Sequence, residues 1–215
     1  MDMQDPAELI VPLSSDRGLC GGINSNIVKE IKNYVKDKKR DKFKIIPIGE
    51  KGQAGLLRPF PDLIEFAVTD VPSPRNYPVV MSIADTVARN SDNSDKIVIY
   101  YNEFKSAISQ VIRRMELMPR RKFLEALKFG RLYQQKLPDK NTSNPALYEL
   151  YLTSNLWVAF LNNAASEMSA RMNAMENASK NAGEIRDKLD LEFNKARQQK
   201  ITMELCEIIS GASAL

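Results

Sequence analysis

About 70 residues at the end of this 215-residue chain contain no proline. All eleven prolines lie at or before Pro145, and only Gly183 and Gly211 of the nine glycines follow it. A proline costs a helix interior about 3 kcal/mol, so its absence permits one uninterrupted helix. The same stretch is rich in Ala, Met, Leu, Glu, Lys and Asn, which favour a helix or tolerate it. Thr142, Ser143 or Asn144 would cap its start, with Pro145 in the first turn. The chain therefore reads as two parts, residues 1–144 and a long helix over 145–215.

The first part has a different rhythm. Glu8–Ser14, Phe43–Gly49, Ile64–Val71 and Lys96–Tyr101 are short runs rich in β-branched residues and read as strands. Ile27, Ile31, Tyr34 and Val35 stripe one helix between them, and Val80, Ile83, Ala84 and Val87 stripe another over 77–90. Strands alternating with helices argue for an α/β fold, a mostly parallel sheet in a Rossmann-like three-layer domain. Residues 102–118 read as a tight connection into a further strand, antiparallel at an edge. Pro12 and Pro47 each delete a ladder hydrogen bond, which suggests edge positions or bulges. A short helix around Phe123–Tyr133 and a polar linker complete this part.

Chemistry is narrowly bounded. The chain has no histidine, which removes Ser-His-Asp and Cys-His catalysis and His-ligated zinc. Cys20 and Cys206 cannot form a zinc site between them, and a reducing compartment with two free thiols fits them best. No catalytic residue, metal ligand or cofactor site is read. The charge-free stretch between Glu149 and Glu167 is too short and too polar for a membrane span. Met1–Asp5 shows neither a secretory nor an Arg-rich transit pattern. Basic clusters at Lys36–Lys44, Arg113–Arg114 and Arg120–Lys122 read as solvated faces.

The most enzyme-like segment is Ser14–Gly22, a Gly-rich turn between the first strand and the first helix. Such a turn binds pyrophosphate in dinucleotide-binding domains. Its spacing is Gly18-Leu19-Cys20-Gly21-Gly22, not G-x-G-x-x-G, and no Gly-Lys-Ser/Thr follows. A structural turn is favoured, with Cys20 buried.

The long helix carries more. Leu161, Ala164, Met168, Met172, Met175, Ala178, Ala182, Ile185, Leu189, Phe193 and Ala196 recur in steps of three and four. From Met168 to Ala196 the mean step is about 3.5 residues, the period of a left-handed coiled-coil seam. Glu167–Arg171, Glu176–Lys180 and Glu184–Lys188 add acid-before-base pairs along it. At 1.5 Å per residue the helix reaches about 100 Å, so it is expected to project and to need a partner helix. The last 52 residues hold seven basic and eight acidic side chains, a near-neutral balance that argues against a DNA-binding coil.

Two blocks carry a family resemblance. Ser15–Gly22 resembles the S-D-[KR]-G-L-C-G block of the F-type ATP synthase gamma subunit. Ala165–Glu184 and Asn194–Leu215, the latter containing Ile201-Thr202-x-Glu204-Leu205-x-Glu207-Ile208-Ile209-Ser210-Gly211-Ala212, resemble that family almost throughout. The resemblance implies a central-stalk rotor with no chemistry of its own. A Rossmann-like foot would sit near the proton-carrying c-ring and the small delta and epsilon stalk subunits. The C-terminal helix would enter the hexamer of alpha and beta subunits, and rotation would drive the catalytic beta sites through different nucleotide affinities. It also implies a beta-subunit contact at Arg197, Gln198, Thr202 and Glu204, which flank an apolar strip of Ile201, Leu205 and Ile208.

The family begins with a long N-terminal helix antiparallel to the C-terminal one, whereas this chain begins at the first strand. That missing helix is the expected partner along the seam. The wording of the C-terminal block and a pI near 9.0 resemble mitochondrial members, and that resemblance implies the matrix side of the inner membrane. The alternatives are a nucleotide- or phosphate-binding α/β domain dimerising through a coiled coil, and a structural coiled-coil scaffold.

Overall fold

A computed structural model describes residues 7–36, 38–71, 76–129 and 140–213, without the side chains of 128–129 and 140–142. The chain forms two compact units, Met1–Met172 and Asn173–Leu215. The first is a three-layer α/β domain. Its sheet contains β1 (Glu8–Pro12), β2 (Phe43–Ile45), β3 (Lys96–Phe104) and β4 (Gln110–Leu117) in the order β2-β1-β3-β4. β1 runs parallel to both neighbours, Leu9 lying opposite Lys44 and Ile97, while β4 returns antiparallel on β3 as a hairpin. The mostly parallel sheet and its antiparallel edge are as the sequence pattern indicates.

Alternation along the strands sends side chains to two cores. Ile10, Val98 and Tyr100 meet Ile27, Ile31 and Val35 of α1 (Ile23–Lys36) and Leu56 of α2 (Glu50–Leu57). Leu9, Val11, Ile97 and Ile99 face the other way. There they meet Val80, Ile83, Ala84 and Val87 of α3 (Tyr77–Asn90), the stripe that the periodicity marks. Tyr148, Leu152, Leu156 and Phe160 of α5 (Lys140–Ser213) complete that second core. α4 (Arg120–Phe129) adds Phe123, whose ring stacks on Tyr151 at 4.9 Å.

Three expectations are corrected. Ile64–Val71 is not a strand: it makes one parallel bridge, Ile48 to Val68, before Asp70 turns the backbone to φ 55°. Pro12 is not at an edge but ends the central strand. Its carbonyl still accepts from the Ile48 N–H at 3.0 Å, so only its own donor is missing. Pro145 lies beyond the first turn, because α5 already begins at Lys140. The missing N–H there affects only the carbonyl four residues back, close to the helix start. Of the helix expected around Phe123–Tyr133, Phe123–Phe129 is helical within α4, while Tyr133 and the polar linker lie outside the described residues.

The second unit is the remainder of α5. Over 41 residues to Ser213 it is about 60 Å of helix. No helix among the described residues is long and apolar enough to cross a membrane.

Candidate functional site

The Gly-rich turn is a tightly bonded junction. Ser14, fully buried, donates from Oγ to the Ile48 carbonyl at 2.9 Å and accepts there from the Gly52 N–H at 2.9 Å. The Ser15 N–H donates to Asn24 Oδ1 at 3.1 Å, and the Asn24 amide returns to Ser15 Oγ at 2.7 Å. Asn24 also donates to the Cys20 thiol at 3.2 Å, which is buried against Ile23 and Ala170. The Asp16 carboxylate accepts three backbone N–H groups, from Glu50 at 2.9 Å, Asp70 at 3.3 Å and Val71 at 3.2 Å. Sequence reading singled out this turn for its glycines; its work is done by Ser14, Ser15, Asp16 and Asn24.

This wiring bears on phosphate binding. A helix N-terminus attracts anions through N–H groups that lack partners. At α2, the helix beside the turn rather than α1, which the turn opens, those groups are already used. The Glu50 N–H goes to Asp16, the Lys51 N–H to the Ser15 carbonyl at 3.2 Å, and the Gly52 N–H to Ser14. Beside the turn, a cleft of about 570 Å³ is lined by Lys29, Lys32 and Lys51 with Gly21, Asn24 and Gly55. Asp16→Ala would release three donors at once, and a lost helix cap costs about 1–2 kcal/mol. A urea titration followed by Trp157, the single tryptophan, should show that loss, with Asp16→Asn milder because one acceptor oxygen remains.

The second candidate surface is on α5. Met168 and Met172 belong to the first unit, and both are about half exposed. Met175, Ala178, Ala182, Ile185, Leu189, Phe193 and Ala196 belong to the second, and every one is exposed. Phe193 is 66% exposed and Ile208 68%, and it is the contiguity of such side chains along the helix, not any one of them, that marks a contact surface. The seam is thus an apolar stripe that its own unit leaves uncovered.

The polar residues near the helix end are also exposed. Thr202 Oγ1 donates to the Gln198 carbonyl at 2.8 Å, which joins those two within one turn. Glu204 faces Lys200 at 3.8 Å. Arg197 and Glu204 are one heptad apart and share a face. Among the described residues, the side chains of Arg197 and Gln198 make no hydrogen bond or ion pair. No group of side chains there has the makings of a metal site.

A third set was missed by sequence reading. Asn163, Ser166 and Ser169 sit three apart on α5, all buried, and bond to the β3–β4 hairpin. Their spacing on a helical face was the available signal, hidden because serine and asparagine ordinarily mark a solvated surface.

The family model described as ATP synthase matches residues 2–215. The ATP synthase gamma chain of Pelagibacter ubique is 36% identical over 218 residues, covering 99% of this chain and 75% of that one. The mitochondrial ATP synthase gamma subunit of Dictyostelium discoideum is 36% identical, covering 97% and 68%. A chain in the central stalk and c-ring structure of the Tetrahymena thermophila mitochondrial ATP synthase superposes with a TM-score of 0.76. It is 40% identical, and the match covers 83% of this chain and 79% of that one.

Proposed function

Since the chain belongs to the ATP synthase gamma subunit family, we propose that it is the rotating shaft that couples ring rotation to the catalytic beta subunits. Gamma is a non-catalytic subunit of the central stalk, and this chain is such a subunit of a mitochondrial-type ATP synthase. In the proposed mechanism, the α/β foot over residues 1–144 engages the c-ring and the small delta and epsilon subunits. The helix over 145–215 enters the ring of alpha and beta subunits. Its first turns also complete a core of the foot. An asymmetric shaft turning inside the ring changes nucleotide affinity at each beta site in turn, by contact alone. The proposed place of work is the matrix side of the inner membrane.

The observation that carries this reading is the uncovered seam. Met175, Ile185, Leu189 and Phe193 are each at least half exposed on a helix with charged and polar flanks. Such a stripe is a surface for another helix. In the assembly the proposed cover is a helix running antiparallel along Met168–Ala196, as the N-terminal helix of the family does. Near the tip, Arg197, Gln198, Thr202 and Glu204 are proposed to meet a loop of a beta subunit.

Co-purification tests this reading. Tagged chain taken from mitochondrial extract should bring down alpha and beta subunits, and on its own it should associate or precipitate through the stripe. Recovery as a self-associating coil with neither subunit would favour a structural scaffold instead.

A further inference from the structure

The hydrogen bonds between α5 and the β3–β4 hairpin have a geometry that apolar packing cannot supply. β1 ends at Pro12 opposite Tyr100, so beyond that point β3 has a strand partner on the β4 side only. Asn102, 2% exposed, lies in that stretch. Its main-chain N–H donates to Asn163 Oδ1 at 3.3 Å, and its side-chain amide donates to the same oxygen at 3.0 Å. Its carbonyl accepts from Ser166 Oγ at 3.1 Å. Two helix side chains therefore do for β3 what a further strand would do. One turn on, Ser169 Oγ donates to the Ala107 carbonyl at the hairpin tip at 2.5 Å. Arg171 finishes the row, pairing with Glu167 at 2.8 Å and reaching the Gly18 carbonyl at 3.4 Å.

Two consequences follow from the chemistry. Apolar side chains hold a helix against a sheet but tolerate small rolls and slides, because dispersion and burial are non-directional. Hydrogen bonds are directional, and a buried donor or acceptor left without its partner is costly. Asn163, Ser166 and Ser169 must all face the hairpin together, which allows one axial position and one rotational angle. Tyr148, Leu152, Leu156 and Phe160, earlier on the same helix, supply adhesion without that angular definition.

We propose that Asn102, Asn163, Ser166 and Ser169 are a rotational key: they fix the angle of the shaft helix on the foot, so that torque passes between them without slip. These are positioning residues, touching neither nucleotide nor proton. The inference rests on the rotor reading above.

The test uses the whole synthase in membrane vesicles, carrying Asn163→Ala, Ser166→Ala and Ser169→Ala together. ATP hydrolysis should remain within about twofold of the parent, while protons pumped per ATP fall about threefold or more, since orphaned bonds free the helix to turn alone. Ser166→Thr with Ser169→Thr keeps both donors and should preserve the parental ratio. An assembled triple variant with an unchanged pumping ratio overturns the proposal. If the triple variant does not assemble, Ser169→Ala at the hairpin tip is measured in its place, and an unchanged ratio there overturns it equally. The rotor reading fails by a different result: vesicles depleted of this chain that still synthesise ATP.

Discussion

Gly49→Ala is expected to destabilise the α/β unit by more than about 3 kcal/mol, a large fraction of the stability of an ordinary domain. Gly49 has φ 99° and ψ 140°, backbone territory that side chains other than hydrogen rarely enter. A Cβ built there would lie 2.5 Å from the Ser14 carbonyl oxygen and 2.7 Å from its carbon. Those atoms are main chain at the end of the central strand, so they cannot swing aside as a side-chain tip can. Moving them would break the Ser14 N–H bond to the Ile48 carbonyl and the Gly49 N–H bond to the Val68 carbonyl, both 2.8 Å. Gly183→Ala is the contrast, because nothing lies within 4 Å of its Cβ position and the residue is in a helix interior. It should stabilise the helix by about 0.5–1 kcal/mol. Urea titration followed by Trp157 fluorescence reports the first change, and helical circular dichroism the second. A Gly49→Ala midpoint equal to that of the parent would sink the strain argument.

Arg197→Ala combined with Gln198→Ala is expected to lower coupled ATP synthesis about three- to tenfold while the foot stays folded. The size corresponds to about one ordinary hydrogen bond, on the order of 1 kcal/mol net, in a contact that must break and re-form each turn. Arg197 presents a planar fork suited to a carboxylate, which a lysine's point charge would not reproduce. Thr202 has its hydroxyl proton committed to the Gln198 carbonyl, and Glu204 already faces Lys200. That leaves Arg197 and Gln198 as the pair with donors to offer. Synthesis and hydrolysis by the whole complex are measured side by side. If the double substitution changed neither, these positions would be ordinary solvated helix edges.

What the sequence made legible depended on how clean each pattern was. The α3 stripe of Val80, Ile83, Ala84 and Val87 followed from periodicity, and the antiparallel edge strand from reading residues 102–118 as a tight connection into a further strand. α2 was not read, because Gly52 and Gly55 are poor helix formers. Their reason is close packing: a Cβ on Gly52 would meet Ser14 Oγ at 2.5 Å, and one on Gly55 would meet Val28 at 2.8 Å. Ile64–Val71 had strand composition but follows a 3₁₀ turn at Pro61–Leu63 and stops at a left-handed Asp70, geometry no local propensity encodes. Among site residues, the exposed seam was visible as spacing. The Asn163–Ser169 row was not, since polar residues on a helix are buried only when a distant backbone needs them, here 61 to 64 positions away.

One continuous helix from Lys140 to Ser213 also changes how its exposed stretch comes to be helical at all. Starting a helix in water is improbable, with a nucleation parameter on the order of one in a thousand, and extending one is nearly neutral per residue. Here the first turns are set in place by Tyr148, Leu152, Leu156 and Phe160 in the core of the foot. The folded sheet therefore acts as a template, and the remainder grows from an existing end rather than beginning its own. Its order is borrowed from the foot and is most easily lost from the Ser213 end inward, a gradient that an independently nucleated coil would not have.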